Sequence, residues 1–172
     1  MILGMSTASF TVLHVILSLI GIVSGLVVLV GMWAARRLEG WTALFLASTV
    51  ATSLTGFLFH SAHFGPPHVV GLISLVLLVL AILAFYSYHL AGSWRWVYVV
   101  TAVAALYFNV FVGVVQAFQK LPLLQPLAPT GSEPPFLIAQ GLVFIAFVVF
   151  ALVALKRFYP TRDSAAVSMK IH

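Results

Sequence analysis

Cysteine is missing from the chain, and its absence excludes disulfides, thiolate metal sites, cysteine nucleophiles and CxxC redox chemistry. Charge is almost as scarce. Asp, Glu, Lys and Arg make up 6% of the residues, against roughly 25% in an ordinary soluble domain. A soluble fold of 172 residues cannot cover its surface with so few charges. Acidic groups are limited to Glu39, Glu133 and Asp163. No Asp or Glu lies in an apolar run, so none is placed to orient a His–Ser pair or to couple ion movement to transport. P-loop, dinucleotide and HExxH motifs are also absent. The sequence therefore leans away from an enzyme and away from an ion-coupled pump.

What fills the chain is apolar. Hydrophobic residues make up 63% of it, and mean hydropathy is +1.18. Crossing the hydrocarbon takes about 20 mostly apolar residues. Five runs meet that length without a formal charge: Phe10–Ala34, Trp41–His60, Val69–His89, Trp96–Phe118 and Phe136–Leu155. β-Barrel strands are about 10 residues long and alternate apolar with polar, which these runs do not. The expected fold is an all-α membrane protein, a five-helix transmembrane bundle in a single integral domain spanning residues 1–172. Residues 1–9 hold no Lys or Arg, and the apolar run after them is too long for a signal-peptide core, so the first span reads as a retained helix.

The net charge is +5 and the sequence pI is near 10.0. In a soluble chain this would raise nucleic acid as a partner. Here topology explains the cations. Arg36, Arg37, Arg95, Lys156, Arg157, Arg162 and Lys170 fall on one side if the spans alternate, and Lys120 alone falls on the other. The positive-inside rule puts the larger group in the cytoplasm, with the N-terminus outside and the C-terminal tail 159–172 inside. Trp33, Trp41, Trp94 and Trp96 lie at that same cytoplasmic boundary. The outer loop 119–135 holds five prolines and is expected to be irregular, with Leu121, Leu123, Leu124 and Leu127 against the bundle or the membrane surface.

Small and hydroxyl residues mark helix contacts in membranes, because they let backbones approach. Ser18, Gly21 and Gly25 form such a stripe on helix 1, and packing within one chain is a better reading of Gly21-xxx-Gly25 than dimerisation. Helix 2 carries Ser48, Thr52 and Gly56 at steps of four, which predicts a central place for it. Asn109 is expected to hydrogen-bond between helices, and Tyr86, Tyr88 and Tyr98 to anchor at the interface. Helix 5 offers only Gln140 and Gly141, so most of it should face lipid or a partner.

One constellation points to a ligand. His14, His60, His63 and His68 gather at the outer membrane level, while His89 sits alone at the opposite end. Gln116 and Gln140 reach the outer level from helices 4 and 5. Imidazole is the commonest nitrogen ligand for Zn, Cu and haem iron. Candidate metal ligands are therefore His14, His60, His63 and His68. A haem b or an organic ligand such as a quinone would use His14, His60, His68, Gln116 and Gln140. The spacing His60-x2-His63-x4-His68 is not a standard metal motif. Three functions follow as alternatives: a binding or accessory protein with an outer histidine site, a scaffold subunit with structural histidines, and a haem- or quinone-linked oxidoreductase. The chain looks like the small Leu-, Val- and Ala-rich multi-pass proteins of bacterial inner membranes. That resemblance implies a plasma-membrane location, with the lipid bilayer, further copies or a larger membrane complex as partners and no nucleic acid.

Overall fold

The computed structural model describes residues 4–59 and 65–159. Its elements are α1 (Thr7–Trp33), α2 (Glu39–Phe57), α3 (Pro66–Ile82) continuing into a π turn (Leu83–Ser87), α4 (Trp94–Lys120), a 3-10 turn (Gln125–Leu127) and α5 (Pro134–Arg157). Among the described residues every element is helical. Thr7–Trp33, Pro66–Ser87, Trp94–Lys120 and Pro134–Arg157 are each long and apolar enough to cross a membrane. The chain is thus an all-α, multi-pass membrane protein. α2 falls outside that set because Glu39 and its hydroxyl residues dilute its apolar content.

Sequential helices run antiparallel. His14 meets Thr55, Gly21 faces Ser48 and Thr49, and Gly25 faces Phe45, which fixes α2 against α1 in the opposite sense. Gly71 lies under the Phe57 ring, Phe85 packs on Tyr98, and Phe118 on Phe136. One end of the bundle gathers Trp33, Arg36, Arg37, Trp41, Trp94, Arg95, Trp96, Lys156 and Arg157. Lys120 and His14 belong to the other.

α4, rather than α2, is the hub, since it packs on α1, α3 and α5 and also touches α2, whereas α2 has no substantial contact with α5. Its buried face carries Tyr98, Val99, Ala102, Ala105 and Leu106, in which alanines admit neighbouring backbones between larger ridges. Part of the hydroxyl content of α2 has a local cause, while the Thr49 and Thr52 hydroxyls are buried with no hydrogen-bond partner among the described residues. Ser48 donates to Leu44 O at 2.6 Å and Thr55 to Ala51 O at 2.7 Å, so these groups are satisfied one turn back on their own helix. Tyr98 also departs from the interfacial role expected of it. It is 1% exposed, with its hydroxyl 3.3 Å from that of Thr42 and its ring between Phe85 and Phe158. Tyr86 and Tyr88 are exposed, as anchoring requires.

The ends of the helices are set by local chemistry. Ser6 Oγ accepts the Ser9 N–H at 3.1 Å and caps α1. At its other end, Arg36 N–H bonds Gly31 O at 2.9 Å and Ala35 N–H bonds Met32 O at 3.2 Å, the paired closure of a Schellman turn. This turn forces Ala35 to φ 55°, where a Cβ is unwelcome. Ala35→Gly is expected to stabilise the protein by about 0.5–1 kcal/mol. Denaturant titration in micelles checks this, and a loss of stability would contradict the strained-turn assignment.

In the outer loop, Glu133 folds the chain before Pro134 opens α5. Its carboxylate accepts the Thr130 N–H and hydroxyl at 3.0 and 2.8 Å and the Ser132 N–H at 3.0 Å. Desolvation pushes the Glu133 carboxyl up, but these hydrogen bonds outweigh it and hold the group down at about 2. Because the folded value is depressed, the loop's stabilisation is present above the ordinary carboxylate value and is lost as pH falls toward about 2. The protection factors of the Thr130 and Ser132 amides, which divide out the intrinsic pH dependence of exchange, should therefore fall on acidification below pH 4 and stay flat above pH 5.

Candidate functional site

His14 lies two turns into α1, half-buried against the end of α2. Gly56 lies beside it, where a Cβ would stand 3.7 Å from the imidazole Cε1, an ordinary contact distance. The Phe59 ring meets the imidazole edge-on at 5.2 Å. His14 Nδ1 is 2.8 Å from Thr55 Oγ1. That contact fixes the tautomer. The Thr55 hydroxyl lies 2.7 Å from Ala51 O, and only the hydroxyl has a hydrogen to place between those two oxygens. With its proton committed, Thr55 can only accept from His14. The Nδ1 carries the hydrogen, and Nε2 presents a lone pair. This is the arrangement seen in metal-binding histidines, where one ring nitrogen donates to an orienting group and the other ligates.

His68 has the opposite arrangement. The Gly65 N–H donates to its Nδ1 at 3.2 Å, which closes the first turn of α3. The neutral ring then carries its proton on Nε2. Its ring also packs on Phe57, with centroids 5.8 Å apart. Thr55 and Phe57 point roughly 200° apart around α2, so the chain of α2 stands between the two imidazoles. The structure brings His14 together with Thr55 and Phe59, and not with His68.

His60 and His63 lie outside the described residues. Gln140 is buried between α5 and α4, where Nε2 donates to Phe111 O at 3.1 Å and Oε1 has no partner. Gln116 is exposed. Asn109 bridges helices as expected, its Nδ2 donating to Ser18 O at 3.4 Å. His89 is exposed in the turn after the π segment. Among the described residues no three His, Asp or Glu side chains converge as a metal site would require. The polar residues singled out by sequence thus distribute over the α1–α2, α1–α4 and α4–α5 seams and the head of α3.

Thr55 was the residue that sequence reasoning undervalued. It stood beside the small-residue stripe of α2, and no pattern in the sequence pairs it with His14. No family model, curated protein or solved structure matches the chain.

Proposed function

We propose that the chain is a five-span binding or accessory protein of a bacterial inner membrane, N-terminus outside and C-terminus in the cytoplasm, that takes a metal ion or haem at its outer end through His14. The single observation that carries the ligand reading is the Nδ1–H of His14 held on Thr55, which leaves Nε2 with a lone pair. His60 follows directly on Phe59, the residue packed on His14, and His63 comes three residues later, which makes them the natural further ligands. His68, whose Nδ1 already closes the start of α3, contributes to the fold.

The fifth span is α2. Its 19 residues rise about 28 Å, close to the ~30 Å hydrocarbon thickness. The Ser48 and Thr55 hydroxyls are tolerated there because they bond their own backbone, and lipid need not solvate them. The orientation follows from the cations gathered at one end.

Metal analysis and an absorption spectrum of the detergent-purified protein test the reading. Stoichiometric Zn or Cu, or a Soret band, should be found in the wild type and fall at least tenfold in His14→Ala, with Thr55→Val showing a smaller loss. His68→Ala should keep the ligand. A wild type free of metal and haem would overturn the proposal. The second reading is then favoured, a scaffold subunit of a larger membrane complex. The cap at His68 already fits that reading, because it accounts for a polar side chain without any ligand.

A further inference from the structure

We infer that the opposite end of the bundle carries a site for the headgroup of an anionic phospholipid, formed by Arg36, Lys156 and Arg157 at the foot of the α1–α5 seam. The seam is pinned at Trp33. Its indole Nε1–H donates to Phe150 O at 3.3 Å, and its ring meets that of Phe150 edge-on at 5.1 Å. Arg36 follows Trp33 by three residues. Lys156 and Arg157 lie about 10 Å beyond Phe150 along α5. Arg157 also continues the inward stripe of Phe147, Phe150 and Ala154, so its stem leaves α5 on the side that faces the seam.

The charges of this end do not cancel. Arg37 pairs with Glu39 at 3.6 Å and lies over the Phe85 ring at 4.6 Å. Arg95 donates to Leu155 O and Phe158 O at 3.0 and 2.9 Å. Cations at a helix C-terminus are often explained by the free carbonyls there, but Arg95 has already taken two of those on α5. Arg36, Lys156 and Arg157 are exposed and make no ion pair among the described residues. Glu39 is the one acidic side chain of this end among the described residues, and it is already engaged.

The surface beside these cations selects a lipid over a soluble anion. Val30 on α1 and Val149 and Leu152 on α5 are 58%, 49% and 53% exposed, an apolar slope that runs up from the basic mouth. A phosphate held by three cations above a slope for acyl chains matches a membrane phospholipid of negative charge. The inference rests on membrane insertion, and is independent of His14 and of which leaflet this end occupies.

Titration of the purified full chain in neutral detergent with phosphatidylglycerol, followed by native mass spectrometry and thermal unfolding, tests it. Saturable binding and a raised unfolding midpoint are expected with phosphatidylglycerol and not with phosphatidylcholine. Each cation removed should weaken binding about fivefold, so the triple variant Arg36→Gln, Lys156→Gln, Arg157→Gln should lose about a hundredfold. These side chains are exposed, so the variant should unfold near the wild-type midpoint without lipid, and Lys120→Gln should bind as the wild type does. Equal response to the two lipids, wild-type affinity in the triple variant, or an equal shift with inorganic phosphate would each overturn the assignment.

Discussion

Gly25→Leu is expected to cost the folded protein about 2–3 kcal/mol or more. The position has no space: a Cβ there would come 2.6 Å from Leu106 Cδ1 and 2.9 Å from the Phe45 ring. Three helices meet at this point, α1 through its missing side chain, α2 through Phe45 and α4 through Leu106. Phe45 and Leu106 are 1% and 2% exposed, so neither can swing away into lipid. The strain must be taken up by separating α1 from the hub, which loses dispersion contacts along the whole seam. Better helix propensity offsets part of the cost, since Gly is about 1 kcal/mol worse than good helix formers. Gly141 isolates that gain. A Cβ there meets nothing within 4 Å, so Gly141→Leu should be neutral or stabilising by up to about 1 kcal/mol. Titration with a denaturing detergent compares the two. If Gly25→Leu unfolded like the wild type but changed the oligomeric state, the Gly21-xxx-Gly25 stripe would be a contact between copies and not an internal one.

That stripe shows how far residue patterns carry in a membrane chain. The apolar runs locate every helix within a few residues, because length without charge is the constraint the bilayer imposes. Gly21 and Gly25 were legible as internal contacts, and Asn109 as a bridge between helices, since each has little other use at that depth. The hub was misplaced. Ser48 looks like cross-helix glue in a sequence, yet its hydroxyl bonds its own helix one turn back, whereas Thr55 does both, donating to Ala51 O and meeting His14, and spacing does not distinguish the two. α4 became the centre through Tyr98, Ala102, Ala105 and Leu106, an alternation of bulk that reads equally well as lipid contact. That His14 and His68 share one end of the bundle was legible, and how their rings are held was not. Level follows from counting residues along spans. Which ring nitrogen carries the proton depends on Thr55 and Gly65, on neighbouring segments whose register the sequence does not state.

Arg95 carries the second large effect, and it separates two roles that sequence alone merges. As the lone cation in the α3–α4 turn it reads as a topology signal. In the structure its Nη1 directs one N–H to Leu155 O and the other to Phe158 O, and its guanidinium lies 4.0 Å over the Tyr159 ring. It thereby caps α5 from the first turn of α4 and holds Phe158, 1% exposed, against Tyr98. Hydrogen bonds from charged donors contribute about 1.5–3 kcal/mol each when buried. Arg95 is only half-buried, so Arg95→Ala should cost about 2–3 kcal/mol in total. Arg95→Lys tests the assignment. It keeps the positive charge, and with it the topology, but an ammonium on a shorter stem cannot reproduce the guanidinium's fixed reach to two carbonyls. The expected result is unchanged orientation in a labelling assay together with about half the stability loss of Arg95→Ala. Full wild-type stability in Arg95→Lys would show that charge alone matters here and that the α5 carbonyls have no need of this cap.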